Sequence, residues 1–344
     1  MVSALSGAPD VEHVLQLEAR GRWVRAVITD VGAALQELSV GDITLTPPAH
    51  PDVPAPFFCG KILAPWPNRV RDGRWAHDDQ MLQLAITDPV HRSALHGLLS
   101  HTAYQVVMRT ESSITLRAPV TAQPGYPFAL DTVVHYRLSA QGLEATQRIY
   151  NVGTACAPVG FGAHPFLAIG GVPTETLTLT INGRYHVDVD DRLLPVGVTP
   201  VEGSQWDLRA GRAVADLALD DCWAVAPEPD GSSTHTLRAP DGRSVSLHAD
   251  AQFGFVHAFV TREFPSPTGP ITAVAVEPVT APADALNNGV GLQWLEPGES
   301  VSGRWAIVYH DALHHRLLSI ADPRSARGGT PTAASSTPLV SGSR

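Results

Sequence analysis

Apolar and polar residues alternate along most of this chain. In "LQELSVGDITL" two alternating runs flank Gly41-Asp42, and in "TLRAPDGRSVSLH" two more flank Asp241-Gly242. A period of two is the signature of a half-buried strand, because successive side chains point to opposite faces. Gly-Asp or Asp-Gly between two such runs predicts a hairpin with a tight turn. The same alternation recurs in "YQVVMRTESSITLRA", "LDTVVHYRLSAQGLEATQRIY", "ETLTLTINGRYHVDV" and "GRWAIVYH". Helical spacing is scarce: the best candidates are "DALHHRLLSIAD", beginning at Asp311, and a turn or two near "ADALNNG", neither long enough to form a layer of the fold.

The 29 prolines and 29 glycines fall mainly between the alternating runs, as loops joining many strands require. The pattern predicts an all-β fold, a large antiparallel β-sandwich with a few short helices. No composition break or fixed-period repeat divides the chain. Residues 12–322 are therefore expected to form a single domain. The tail "PRSARGGTPTAASSTPLVSGSR", residues 323–344, is rich in Ser, Thr, Gly and Pro and is expected to be disordered.

Composition narrows the chemistry. Of the 344 residues 44% are hydrophobic and 17% charged, which suits a folded, water-soluble protein. A net charge of -10 with Lys61 as the only lysine argues against a nucleic-acid surface, which needs clustered cations to meet phosphates. Small neutral or weakly charged molecules are the expected partners. Cys59, Cys156 and Cys222 are far apart and lack metal-site spacing, so a reducing, cytoplasmic setting is expected. The opening "MVSALSGAPDVEHVLQLEAR" has no basic region followed by an apolar one, and no run of about 18 apolar residues occurs, so secretion and membrane insertion are disfavoured.

Four stretches do not read as scaffold. "CGKILAPWPNRVRDGRW" brackets Trp66 between prolines and presents Asn68 and Arg69 directly after. Core packing accounts for Trp66 as well as a ligand platform does, while the fork of donors on Arg69 suits hydroxyl or carboxylate oxygens as well as a surface salt bridge. In "ALHGLLSH" a glycine follows His96, and His91 and His101 lie close by; no paired cysteines or helical His-x-x-x-His support a metal site. In "VGFGAHPFLAIGG" Pro165 pushes His164 towards extended geometry among glycines, where a buried loop histidine is the plainer alternative. In "AVAVEPVTAPADALNNG" Glu277 ends a wholly apolar run, where a carboxylate is costly to bury unless it is paired or used.

In this order, "GKILAPWPNRVRDGRW", "LHGL", "GFGAHPF", "LDDCWAV" and "VEPVTAPADALNNG" resemble the aldose 1-epimerase (galactose mutarotase-like) family, its bacterial branch most closely, over residues from about 14 to about 310. The resemblance implies a mutarotase-like supersandwich with a sugar site in an open cleft. It implies interconversion of the α and β anomers of a free aldose such as glucose or galactose, without cofactor or metal; a monomer or homodimer is expected. Residue by residue, it puts His164 on the family's general acid and Glu277 on its general base. Arg69, His96 and Asp220 fall on sugar-contacting positions, with His96 also near the reacting centre. Adjacent Asp221 should face the other way on a strand. Phe166 stands where the family often has tyrosine, which leaves the preferred sugar open, and His257 in "FGFVHAFV" is a further candidate contact.

The chemistry suits these groups. Opening a cyclic hemiacetal removes the proton of the C1 hydroxyl and protonates the ring oxygen, so one base and one acid suffice, each worth roughly 10²- to 10⁴-fold. A carboxylate and an imidazolium are the expected forms near neutral pH. Trp66, Trp223 or Phe166 could stack on a pyranose, with core packing as the alternative for each. A carbohydrate-binding protein without turnover, a glycoside hydrolase and a mutarotase for a C6-modified or phosphorylated sugar remain alternatives. The hydrolase normally needs two carboxylates flanking the bond.

Overall fold

The structure is a computed structural model that describes residues 10–48, 50 and 52–312. The helix expected in "DALHHRLLSIAD" lies outside the described residues beyond its first two positions, and the tail expected to be disordered, residues 323–344, lies wholly outside them.

Two large antiparallel sheets dominate. The first has nine strands, ordered Gln105–Arg109, Ser113–Val120, Leu130–Ser139, Gly142–Asn151, Ser300–His310, Ser244–Ala249, Ser233–Arg238, Thr178–Thr180 and Arg212–Ala213. The second has eight. Its path runs Pro195–Pro200, Gly183–Val189, Asp220–Val225, Phe255–Ser266, Gly269–Val279, Gly162–Ala163 and Ile62–Leu63, and Phe166–Leu167 also pairs with Gly269–Val279. A four-stranded sheet, Glu12–Ala19, Arg22–Thr29, Leu35–Val40 and Ile43–Thr44, joins them. The helices that lie within the described residues are Ala285–Asn288, within "ADALNNG", and three single turns of tighter helix.

The predicted hairpins form where the alternation placed them. Val40 pairs with Ile43 across Gly41-Asp42, and Arg238 pairs with Ser244 across the turn holding Asp241-Gly242. "LDTVVHYRLSAQGLEATQRIY" becomes a ten-residue hairpin pair in continuous register from Leu130↔Asn151 to Ser139↔Gly142. In Leu130–Ser139 the buried positions are alternate ones, so a one-residue slip would expose Leu130, Val134, Tyr136 and Leu138 together.

One apolar core spans both sheets. It combines Leu130, Val134, Leu247 and Ile307 of the first with Trp223, Val256, Ala258 and Val276 of the second. A smaller cluster of Phe166, Phe264, Ala273, Ala275 and Cys59 covers part of the second sheet's other face. Gly269–Val279 is thus buried on both faces from Ala273 onward, which is why "AVAV" shows no polar alternation. Glu277 is the one charged side chain in that buried run.

Candidate active site

The strand register decides which side chains meet. Cys222 lies opposite His257, and His257 lies opposite Glu277, so the three share one face of the eight-stranded sheet. Asp220, two residues from Cys222, faces the same way. Asp221 and Trp223 face the opposite side, as strand geometry requires. The front face is the floor of a pocket lined by Arg69, His96, His164, Asp220, His257 and Glu277, with Asn68, Leu95, Phe57, Phe58 and Phe259 around it. All five of the expected site residues come together there.

His164 is positioned by backbone. Its N–H donates to Lys61 O (2.9 Å) and its carbonyl accepts from Gly60 N–H (2.8 Å), which holds the segment after Ala163 beside the Ile62–Leu63 strand. Gly162 lets the strands close in, since a Cβ there would sit 2.7 Å from Pro278 O. His164 Nε2 then lies 3.2 Å from Glu277 Oε1. Both residues are buried, 5% and 1% exposed, and this decides their charge states. Burial pushes the His164 imidazole down to about 3, and the charge of His257 adds to the effect. Burial pushes Glu277 up to about 8, against the attraction of His257. The expected imidazolium is thus not the resting form of His164: with little water to solvate a charge, the neutral ring is favoured.

Arg69 and Asp220 form the second half of the pocket. Arg69 lies on the short strand Arg69–Arg71, paired with Ser93–Leu95. Its Nε donates to Asp88 Oδ2 (3.0 Å), and its Nη2 lies 3.7 Å from Asp220 Oδ2. Asp88 also takes hydrogen bonds from the His91 ring (2.8 Å) and backbone N–H (3.2 Å). Arg69 makes a salt bridge, but a buried one, and the residue still lines the pocket. Asp220 Oδ1 lies 2.8 Å from His257 Nε2. Burial opposes the Asp220 charge, but His257 and Arg69 outweigh it and hold its carboxyl at about 2. Asp220 is therefore a fixed anion.

His96 sits in the left-handed region (φ 59°) before Gly97, also left-handed (φ 74°). Gly97 is required: a Cβ would come 2.0 Å from Ala64 O. The backbone N–H of Asn68 donates to His96 Nδ1 (3.1 Å), so that nitrogen carries no hydrogen. Burial, reinforced by the neighbouring charges of His164, Arg69 and His257, holds the ring well below its ordinary value. His96 is accordingly a neutral ring with its hydrogen on Nε2, a donor and not a proton acceptor.

The structure settles several open alternatives. Trp66, Trp223 and Phe166 are at most 1% exposed and none lines the pocket, so core packing holds for all three. Phe166 stacks behind His164, with centroids 5.4 Å apart and planes at 19°, and does not line the pocket. The aromatic lining comes instead from Phe57, Phe58 and Phe259. His91, His96 and His101 do not converge. Their Nδ1 atoms engage Asp88, the Asn68 N–H and Lys61 Nζ respectively, and among the described residues no group of three or more His, Cys, Asp or Glu is arranged to hold a metal. Sequence reasoning missed Asp88 and the Phe57-Phe58 pair. Two adjacent aromatics ending the proline-rich "PPAHPDVPAPFF" were the available signal; Asp88 carried none, because its role depends on a partner 19 positions away. His257, expected only as a further candidate contact, also lines the pocket.

Comparison with known proteins follows the same outline. A family model described as aldose 1-epimerase matches residues 14–307. The uncharacterized protein YihR of Escherichia coli (strain K12) is 30% identical over 276 residues, covering 80% of this chain and 86% of that protein. Among solved structures, the GalM/aldose epimerase homologue from C. elegans superposes with a TM-score of 0.74 at 16% identity, over 87% of this chain and 99% of that one. A galactose mutarotase-like protein from Clostridium acetobutylicum gives 0.73 at 18% identity, over 87% and 99%. Fold and family match agree: this chain belongs to the aldose 1-epimerase family.

Proposed function

We propose that this protein interconverts the α and β anomers of a free aldose by acid–base ring opening and closure. The observation that carries this reading is the His164–Glu277 pair, 3.2 Å apart and buried at the floor of a pocket rich in fixed hydrogen-bonding groups. In the opening step Glu277 takes the proton of the anomeric hydroxyl, and the electrons of that O–H bond form the C1=O1 double bond. The C1–O5 bond breaks, and its electron pair takes a proton from His164. Rotation about C1–C2 presents the other face of the aldehyde, and the reverse transfers close the ring. No carbon is oxidised or reduced and no proton is consumed.

The resting charge state fits this cycle. With His164 pushed down to about 3 and Glu277 up to about 8, the pair holds one proton at neutral pH. One proton on the pair is what the reaction needs. At rest it sits on Glu277, and it must pass to His164 before the ring opens. The opening step then moves one proton from His164 to Glu277 by way of the sugar, and the closing step returns it, so a full turnover leaves the pair as it began. Asp220 and Arg69 would hold sugar hydroxyls by charge-assisted hydrogen bonds, and the Nε2–H of His96 would donate to an oxygen near C1. We read the setting as cytoplasmic, in keeping with three unpaired cysteines, and the protein as a monomer or homodimer. No helix among the described residues is long and apolar enough to cross a membrane.

Polarimetry on freshly dissolved α-glucose and α-galactose tests the activity, and saturation-transfer NMR across a panel including C6-modified and phosphorylated aldoses identifies the sugar. Equilibration faster than the spontaneous rate is expected. A spontaneous rate unchanged across the whole panel would make the protein a carbohydrate binder without turnover.

A further inference from the structure

His257 is the pocket residue whose part in the cycle is unassigned, and its surroundings are specific. It is 6% exposed and sits in the middle of the sheet, directly opposite Glu277 on one neighbouring strand and opposite Cys222 on the other. Its Nε2 lies 2.8 Å from Asp220 Oδ1, and the other oxygen of Asp220 faces Arg69. Its Nδ1 is buried without a hydrogen-bond partner, and Cys222 is the residue opposite it on the paired strand.

We propose that His257 is held as a doubly protonated imidazolium by Asp220 and the sheet register, and that this fixed cation makes ionisation of the buried Glu277 less costly, which brings the carboxylate form within reach of the reaction. His257 is thus a positioning residue that acts through the base. The proposal rests on the reading of Glu277 as the base of an epimerase.

The physical case is a contest between burial and Coulomb attraction. A carboxylate as buried as Glu277 tends to keep its proton, and then it cannot accept the one on O1. An opposite charge one strand away, in a site with little water to screen it, is the strongest available means of offsetting that tendency. The groups facing His257 support its charge unequally. Asp220 and Glu277 favour a cation, and Arg69, His96, His164 and Cys222 are positive or neutral neighbours. Burial opposes a charge on His257, but Glu277 and Asp220 outweigh it, and the ring stays well above its ordinary value. The two partners are interdependent: His257 holds its second proton most firmly when Glu277 has lost its own. Asp220, a carboxylate held at about 2, is the anchor that does not depend on Glu277.

The test follows the Glu277 carboxyl itself. In protein carrying ¹³C-labelled glutamate, with the Glu277 signal assigned by its loss in Glu277→Gln, the carboxyl is titrated in wild type and in His257→Gln, whose amide can still donate to Asp220 but carries no charge. The midpoint should rise by about one pH unit or more in the variant. The low-pH limb of kcat for anomer exchange should move with it, while KM changes less. A purely structural role would lower the rate at every pH and leave the midpoint in place, and an unmoved midpoint overturns the proposal. If His257→Gln does not fold, ¹⁵N imidazole shifts in the wild type decide: both ring nitrogens protonated at neutral pH support it, and a neutral ring overturns it. A shifted midpoint in a protein without anomer exchange supports the coupling and removes the epimerase reading instead.

Discussion

The two faces of the Asp220–Val225 strand use the same residue types to opposite ends. On the rear face His186 Nδ1 lies 2.8 Å from Asp188 Oδ1 and its Nε2 lies 2.9 Å from Asp221 Oδ1, while the ring stacks on Trp206 with centroids 3.8 Å apart. Each ring nitrogen has a carboxylate. On the front face His164 meets Glu277 through one nitrogen, and its Nδ1 is buried without a hydrogen-bond partner; the Nδ1 of His257 likewise has none. The rear cluster is satisfied within the protein and ties two strands together. The front cluster leaves hydrogen-bonding capacity and charge unsatisfied, which costs stability and leaves it open to a ligand. Asp221 also accepts the backbone N–H of Asp220, so the rear cluster steadies the residue that starts the front one.

Substitutions should separate the faces. The largest effect is expected at the front: His164→Ala and Glu277→Ala should each slow anomer exchange by about 10³-fold or more, with near-ultraviolet circular dichroism unchanged. Near wild-type rates in either variant would refute the acid and base assignment. At the rear, His186→Leu should lower stability by about 2 kcal/mol in chemical denaturation, because two carboxylates lose their partner and one of them is buried. Its rate per folded molecule should fall by about tenfold or less; a loss as large as that of Glu277→Ala would erase the distinction drawn here.

A further effect lies in the pH dependence of stability. Glu277 is raised from an ordinary 4.5 to about 8 in the folded chain. Below 4.5 it is protonated in both states, and between these values the folded state keeps a proton that the unfolded state releases. Stability contributed by this group is therefore fully present at low pH and is lost as pH rises towards 8. Glu277→Gln should remove that loss, so its Tm relative to wild type should be higher at pH 8 than at pH 5. A difference independent of pH would mean that Glu277 is ionised at its ordinary value.

Much of the site was legible because its residues break local rules. A carboxylate at the end of "AVAV", a histidine among glycines before Pro165 and an arginine after "PWPN" each clash with the strand pattern around them. The family resemblance then joined positions as far apart as Arg69 and Glu277. The mispriced positions share a cause. Phe166 looked like a specificity signal, but its backbone turns the ring behind His164. His257 looked peripheral because nothing within its own strand shows that Glu277 and Asp220 flank it. The expected imidazolium at His164 failed because a charge state depends on exposure, which no local pattern reports.

What the sequence determined by itself is the all-β architecture, the hairpins at Gly41-Asp42 and Asp241-Gly242, and the opposite facing of Asp220 and Asp221. Each follows from a period of two or a turn preference, and these act between neighbours along the chain. Only the tertiary structure decided the register that sets Cys222, His257 and Glu277 in one row, the clamp of Asp88 on Arg69, and the neutral resting state of His164. Those depend on which strands become neighbours and how much water they exclude, properties of the packed sheets that no single segment carries.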